Sequence, residues 1–153
     1  MDIEKMKERR RGMSGADFAK YCLENDEAIP ESSRTLGCRP LAFEPERAFG
    51  RMEFNPGPNT VNPIGGVQGG FIAAMLDDTM AFGALTGIGG GYVLPTLELK
   101  VNYLRPVRPG RVIVEGWLVH RGKSVAFLEG RVLNDDGEEC ARATATALIR
   151  EYR

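Results

Sequence analysis

The sequence predicts an α+β fold in which an antiparallel sheet of about five strands wraps around one central helix. Residues 69–85 are apolar on nearly every side of a helix, which is typical of a buried helix. Five segments have the alternation or β-branched composition of strands, at 48–55, 96–103, 111–120, 124–133 and 139–149. The first strand precedes the helix and the other four follow it as a meander, which is an α+β arrangement.

The later strands carry the clearest patterns. The strand at 96–103 has its large apolar residues on one face, namely Leu97, Leu99, Val101 and Tyr103. The turn sequence Asn-Asp-Asp-Gly at 134–137 predicts a hairpin between the last two strands. Alternate alanines from Ala141 to Ala147 give the last strand a small-residue stripe, which lets a helix lie close against the sheet.

The chain divides into two regions in this interpretation. Residues 1–46 form an N-terminal helical extension and loop, and residues 47–153 form the main domain. Ser14 and Asp17 predict a capping box that starts a short helix. Three prolines and a glycine favour a loop at 30–45. The basic run Lys-Glu-Arg-Arg-Arg near the N-terminus is interpreted as a solvated helix face rather than a phosphate-binding patch.

Composition and charge limit the classes of function. The 153 residues suit one domain, and 42% of them are hydrophobic. A net charge of -1 gives no general attraction to nucleic acid or to an anionic membrane. Three cysteines without a CxxC pair and a single histidine argue against a disulfide framework and a metal site. We therefore expect a cytoplasmic protein, with no signal peptide and with a central helix too short and too acidic to span a membrane.

The chemistry is concentrated in the central helix. The adjacent glycines Gly69 and Gly70 leave N–H groups accessible at the positive end of the helix dipole, where a carbonyl oxygen that becomes negative can be stabilised. Asp77 and Asp78 interrupt the apolar run, and carboxylates are costly to bury without a partner or a function. Because neighbouring helical residues lie about 100° apart, one carboxylate can face a cleft as a base or nucleophile while the other meets solvent or a local partner.

Helix geometry separates these groups. Asp77 lies eight residues after Gly69, which is about 12 Å along a helix. The two groups of one chain cannot both reach one carbonyl, so a shared substrate requires two chains. A sheet of about five strands also cannot enclose a helix by itself. Both arguments favour paired chains that share a site at their interface.

The segment from Asn62 to Asp78 resembles the hotdog-fold thioesterases of the phenylacetyl-CoA and 4-hydroxybenzoyl-CoA type. That family has an asparagine, a glycine-containing loop, His-Gly-Gly and then an acidic residue nine positions after the histidine. The matching positions are Asn62, Gly69, Gly70 and Asp77. The resemblance covers residues 48–149, including the sequence Asn-Tyr-Leu-Arg-Pro-Val-Arg-Pro-Gly at 102–110 and the alanine-rich last strand.

The resemblance implies a role for each residue of the site. The Gly69 amide would be the oxyanion donor, and Asp77 of the other subunit would be the nucleophile or general base. Asn62 would lie near the thioester carbonyl or the attacking water, and Thr96 would hold that water. Gln68 stands where many relatives have histidine; it can donate a hydrogen bond and cap the helix, but it cannot shuttle a proton near neutral pH.

The resemblance also implies the ligand and the assembly. The substrate would be a small aromatic or medium-chain acyl-CoA, with no separate cofactor, and the protein would be a homodimer or a dimer of dimers. The residues expected to contact substrate, including basic residues for the phosphates of CoA, are Gly70, Asp78, Arg105, Arg108, Arg121, Lys123 and Ser124.

Three alternatives remain at this point. The chain could be a non-catalytic acyl-CoA-binding hotdog protein, as a ligand sensor, or a structural assembly module that uses the fold only to dimerise. A hydratase or dehydratase normally pairs histidine with a carboxylate. The sole histidine, His120, lies outside the motif and is interpreted as structural.

Overall fold

The computed structural model of the protein describes residues 3–152. The helices are α1 Ile3–Arg10, α2 Gly15–Glu24, α3 Glu31–Thr35 and α4 Gly69–Ile88. The strands are β1 Arg39–Glu44, β2 Phe49–Phe54, β3 Tyr92–Val93, β4 Thr96–Tyr103, β5 Val112–Arg121, β6 Val125–Leu133, β7 Glu139–Leu148 and β8 Arg150–Glu151.

One antiparallel sheet of six strands packs around α4, in the order β1-β2-β5-β6-β7-β4. This confirms the α+β fold, the central helix and the N-terminal helical extension. The sixth strand, β1, and the short helix α3 lie in the segment interpreted as loop, so that interpretation was wrong. Proline is tolerated on an edge strand because no neighbour needs its missing N–H, and Pro40 lies beside a bulge on such an edge. The division of the chain at residue 46 stays a prediction.

The predicted meander is confirmed for β5, β6 and β7, but it was wrong for β4. β4 pairs with β7 at the far edge of the sheet instead of with β5. The connection through α4 carries the chain from β2 to that far edge, and residues 104–111 return it to β5 beside β2. β1 and β4 therefore lie at opposite edges, and each leaves one side without a strand partner in the sheet.

Two local predictions are confirmed. The Ser14 hydroxyl accepts a hydrogen bond from the N–H of Asp17 at 3.1 Å and caps α2. The turn between β6 and β7 closes with a 3.0 Å hydrogen bond from the N–H of Gly137 to the carbonyl oxygen of Asn134. Gly137 has a φ of 78°, which glycine adopts without steric cost.

Close packing of α4 against the sheet depends on glycines of the helix and of strands β2 and β5. A Cβ added at Gly83 would lie 2.4 Å from the carbonyl oxygen of Gly116 and 2.7 Å from the backbone nitrogen of Gly50. The expectation that the central helix is too short and too acidic to span a membrane was wrong, because α4, with 20 residues, could do so by length and composition. Most of it is buried in this protein, with Met75 and Met80 fully enclosed, which is the packing of a core helix.

Arg10 contradicts the solvated-face interpretation of the basic run near the N-terminus, because it is only 7% exposed. Its guanidinium donates hydrogen bonds to the carbonyl oxygens of Gly90 and Tyr92, both at 3.0 Å, and to the hydroxyl of Tyr152 at 2.9 Å. It also lies over the Phe18 ring, 4.5 Å from the centroid. Arg10 therefore ties the N-terminal extension to the loop after α4 and to the C-terminal segment.

Candidate active site

The open edge strand β4 forms one wall of the candidate site. A bulge between Thr96 and Glu98 adds one residue, so Thr96, rather than Leu97, shares the helix-facing side with Leu99 and Tyr103. Bulged Leu97 is 57% exposed. The predicted alternation was therefore wrong at Leu97, because a bulge shifts the register by one residue and turns the preceding side chains to the other face.

Asp77 is held by the first residue of β4. The Thr96 hydroxyl donates a 2.8 Å hydrogen bond to Oδ1 of Asp77. Among residues 3–152, the other carboxylate oxygen of Asp77 has no hydrogen-bond partner. The structure thus brings together two residues predicted for the site, and Asp77 is oriented with one oxygen available for chemistry.

The start of α4 leaves one backbone donor free. The Gln68 side chain accepts a 2.7 Å hydrogen bond from the N–H of Gly70, so the helix-capping role expected of this glutamine is observed. The N–H of Gln68 donates to the carbonyl oxygen of Thr60 at 2.8 Å. Within residues 3–152, the N–H of Gly69 makes no hydrogen bond. The Gly70 donor is thus occupied, and the Gly69 donor predicted for the oxyanion is accessible.

Asn62 shapes the loop that leads into α4. Its side-chain oxygen accepts hydrogen bonds from the N–H groups of Ile64 and Gly66, both at 3.1 Å. Its side-chain NH2 has no partner in the described part of the chain. The oxygen of Asn62 therefore has a structural role, while the NH2 group can donate a hydrogen bond to a bound carbonyl or water.

Tyr103, at the end of β4, also belongs to the site, and the sequence analysis gave it no role. Its hydroxyl donates a 2.7 Å hydrogen bond to the carbonyl oxygen of Gly69. A Cβ at position 69 would lie 3.1 Å from both Cζ and the hydroxyl oxygen of Tyr103. Because an exposed tyrosine hydroxyl can bond to water, no local pattern in the sequence indicated this contact.

Asp78, the next residue of α4, lies close to Ser33 of α3. Burial raises the pKa of this carboxyl, the nearby Ser33 hydroxyl of α3 opposes the rise, and the charge of Asp77 adds to it. The Ser33 hydroxyl is fully buried and lies outside hydrogen-bonding geometry to any partner among residues 3–152. The structure thus places Asp78 beside the N-terminal extension, and its expected contact with substrate stays a prediction.

Asp78→Asn should make the protein more stable at neutral pH. A carboxyl whose pKa is raised by folding holds its proton more tightly in the folded state, so the wild type loses stability as pH rises above about 4 through the raised pKa. Asparagine does not ionise and escapes this loss. Urea unfolding of both proteins between pH 4 and pH 8 measures it. Free energies of unfolding that stay parallel across this range would contradict the assignment.

The basic residues predicted for CoA lie at the two ends of β4. Arg105 and Arg108 are exposed in the loop after β4. That loop packs beside the start of α4, because the N–H of Val67 donates to the carbonyl oxygen of Val107 at 2.8 Å. Arg105 also donates to the carbonyl oxygen of Glu139 at 2.7 Å. These two arginines therefore lie at the Gly69 end of the site.

The second basic group lies at the end of β5 and in the turn that leads to β6. Arg121, Lys123 and Ser124 are all exposed there. The Ser124 carbonyl oxygen accepts a 2.8 Å hydrogen bond from the N–H of Ile149, which follows β7 beside the start of β4. This group is therefore at the Thr96 end, and within one chain the two basic groups do not meet. His120 is exposed and lies beside the Phe127 ring, at 6.2 Å between centroids.

Comparison with known proteins identifies the family. The model of the thioesterase superfamily matches residues 65–141. The chain belongs to this superfamily. The medium/long-chain acyl-CoA thioesterase YigI of Salmonella typhimurium is 30% identical, over 76% of this chain and 84% of that protein. The matches to three putative esterases, two from Saccharolobus solfataricus and one from Thermoplasma acidophilum, cover 61% to 69% of their lengths. This chain is thus a thioesterase, and the enzyme class expected from its glycines and Asp77 is confirmed.

Similar solved structures confirm the hotdog fold. A putative thioesterase from Ralstonia eutropha JMP134, a phenylacetic acid degradation-related protein, has a TM-score of 0.78 and 30% sequence identity, and the match covers 86% of this chain and 98% of that one. The protein smu.793 of Streptococcus mutans, solved with acetyl CoA bound, has a TM-score of 0.67 at 23% identity, covering 76% of this chain and 90% of that one. At that identity the second likeness concerns the fold alone.

Proposed function

We propose that this thioesterase hydrolyses acyl-CoA at a site shared by two chains. The observation that carries the proposal is the arrangement along α4 and β4. The free N–H of Gly69 lies at one end of the helix segment, and the Asp77 carboxylate, held by Thr96, lies about two turns further along. An amide donor and an oriented carboxylate are the groups that thioester hydrolysis needs.

About 12 Å of helix separates the Gly69 N–H from the Asp77 carboxylate. The two groups of one chain therefore cannot reach the same substrate molecule. β4 offers the surface for a second copy. It is an edge strand with unpaired backbone groups, and its residues Leu97 and Tyr103 are 57% and 51% exposed. A second copy related by a two-fold axis perpendicular to β4 would run antiparallel along this edge and bring each Gly69 near the other chain's Asp77. Two equivalent sites follow in a homodimer, and a dimer of dimers would keep both.

The chemistry assigned to the site is acyl transfer to water. The thioester carbonyl oxygen accepts a hydrogen bond from Gly69 N–H, which strengthens as negative charge develops on that oxygen. Asp77 of the other chain either removes a proton from the attacking water or attacks the carbonyl carbon itself. The carbon–sulfur bond then breaks, and CoA leaves as its thiolate and takes up a proton. If Asp77 is the nucleophile, water hydrolyses the resulting anhydride.

The same two-fold pairing explains the basic residues. Arg105 and Arg108 lie at the Gly69 end of one chain, and Arg121 and Lys123 lie at the Asp77 end. Antiparallel pairing of two copies would bring both groups to one site, where CoA phosphates need cations. The names of the similar proteins support CoA thioesters as the substrate class, and within it we propose a small aromatic or medium-chain acyl group. Cytoplasmic CoA pools would supply it.

Thiol release from a panel of acyl-CoA esters tests the function. The purified protein is incubated with acetyl, hexanoyl, decanoyl, palmitoyl, benzoyl and phenylacetyl-CoA, and free CoA is measured with a thiol reagent. We expect saturable release from at least one aromatic or medium-chain ester. Tight binding of an ester without release would instead identify the alternative function, a non-catalytic acyl-CoA-binding protein. No binding and no release with any ester would exclude both.

A further inference from the structure

Hydrogen bonds immobilise the backbone around the free donor at the start of α4. The N–H of Gln68 bonds to Thr60, and the N–H of Gly70 bonds to the Gln68 side chain. The carbonyl oxygen of Gly69 accepts from the Tyr103 hydroxyl at 2.7 Å. Among residues 3–152, the N–H of Gly69 is the group of this segment left without a partner. Three hydrogen bonds therefore fix the backbone on both sides of that donor.

These hydrogen bonds are needed because the backbone at the start of α4 is intrinsically flexible. Gly69 and Gly70 have no side chains to restrict φ and ψ, and the first turn of a helix frays more easily than its middle. An oxyanion donor accelerates a reaction only if it already points at the developing charge, so that no reorganisation is required during the reaction. The Tyr103 hydroxyl is the contact that reaches this glycine pair from outside the helix and its cap.

We propose that Tyr103 is a positioning residue for thioester hydrolysis. Its hydroxyl anchors the Gly69 carbonyl and so restricts the φ and ψ of Gly69, which set the direction of the Gly69 N–H. This inference rests on the proposed function. It also gives β4 two tasks, since Thr96 at its start orients Asp77 and Tyr103 at its end orients Gly69. One edge strand then fixes the orientation of both reactive groups of α4.

The close approach of the Tyr103 ring to Gly69 supports a direct coupling of the two residues. A Cβ at position 69 would lie 3.1 Å from Cζ and from the hydroxyl oxygen of Tyr103. An alanine there must push the tyrosine ring aside by a few tenths of an ångström and thereby stretch the 2.7 Å hydrogen bond. The hydrogen bond from Tyr103 therefore depends on glycine at position 69.

Tyr103→Phe tests the role of the hydroxyl, because it keeps the ring and removes the donor. We expect kcat to fall about tenfold while KM changes less than twofold, because a misdirected oxyanion donor weakens binding of the transition state more than binding of the substrate. Tyr21→Phe is the matched control: Tyr21 is a buried tyrosine of α2, and the same substitution there should leave kcat and KM at wild-type values.

A purely structural role for Tyr103 would give a different result. Tyr103 lies on the proposed dimer edge, so a weakened dimer would lower activity in dilute protein and restore it in concentrated protein. A positioning defect lowers kcat equally at all protein concentrations. Recovery of the Tyr103→Phe variant to wild-type kcat at high protein concentration would overturn the positioning role, as would a kcat within twofold of wild type throughout.

A double-mutant cycle with Gly69→Ala tests the coupling. If Tyr103 acts through Gly69, alanine at 69 already disrupts the hydrogen bond, so the two losses in kcat should not multiply. A double variant no slower than about twofold below the worse single variant supports the inference, and fully multiplied losses overturn it. A wild type without turnover refutes the proposed function together with this inference. Normal turnover by Tyr103→Phe beside an inactive Asp77→Ala refutes the positioning role alone.

Discussion

Asp77→Ala should leave a folded dimer that has lost most of its thioesterase activity. The expected fall in kcat is on the order of 10² to 10⁴, the usual contribution of a positioned acid–base group. The reason is the environment of the carboxylate: Thr96 orients one oxygen at 2.8 Å, and the other oxygen has no hydrogen-bond partner among residues 3–152. Steady-state CoA release, with circular dichroism and gel filtration to verify fold and assembly, measures the effect.

Asp78→Ala is the matched control for this substitution. It removes the same functional group from the next position of the same helix, but Asp78 lies beside Ser33 of the N-terminal extension. We therefore expect Asp78→Ala to retain most of the wild-type kcat. If Asp78→Ala were inactive and Asp77→Ala retained near-normal turnover, the catalytic role would belong to Asp78.

Gly69→Pro should cause the second large loss, because proline has no N–H to stabilise the oxyanion. Removal of one such donor typically lowers kcat by on the order of 10² to 10³. The backbone accepts the substitution: Gln68 has φ -65° and ψ 139°, the extended conformation favoured before proline. Proline is also common at the first position of a helix. Turnover of acyl-CoA by the folded variant is the measurement.

Gly69→Ala separates the donor from the steric effect. Alanine introduces the same Cβ that would crowd Tyr103 at 3.1 Å, but it keeps the N–H. We expect Gly69→Ala to be far more active than Gly69→Pro, and the ratio of their kcat values isolates the contribution of the donor. Equal activities in the two variants would mean that the Gly69 amide does not contact the oxyanion.

Local sequence patterns predicted most of the secondary structure. The helix at 69–85 and the strands at 96–103 and 139–149 were placed nearly at their observed bounds. The helix was predicted from its continuous apolar run, and the strands were predicted from the alternation that burial of one face imposes. The Gly69 and Asp77 separation also follows from sequence, since helical rise per residue is nearly constant. These features depend on residues that are close together in the sequence, so they can be predicted from the sequence alone.

Features that depend on distant parts of the chain were missed. Pro40 made β1 resemble a loop, because the sequence does not show that this strand lies at an edge where proline is tolerated. The contact of Tyr103 with Gly69 spans 34 residues, and Arg10 bonds to Tyr152 near the other end of the chain. The sequence also left open which aspartate faces the site, because that choice depends on which sheet edge each one approaches.

Subunit complementation tests the shared site most directly. Chains carrying Asp77→Ala are mixed with chains carrying Gly69→Pro, unfolded and refolded together, and differently tagged chains verify the heterodimers. In a shared site each mixed dimer has one site with both lesions and one intact site. Random pairing makes half of the dimers mixed, so about a quarter of wild-type activity should return from two nearly inactive parents. A mixture that stays inactive although heterodimers are present would contradict the two-chain site.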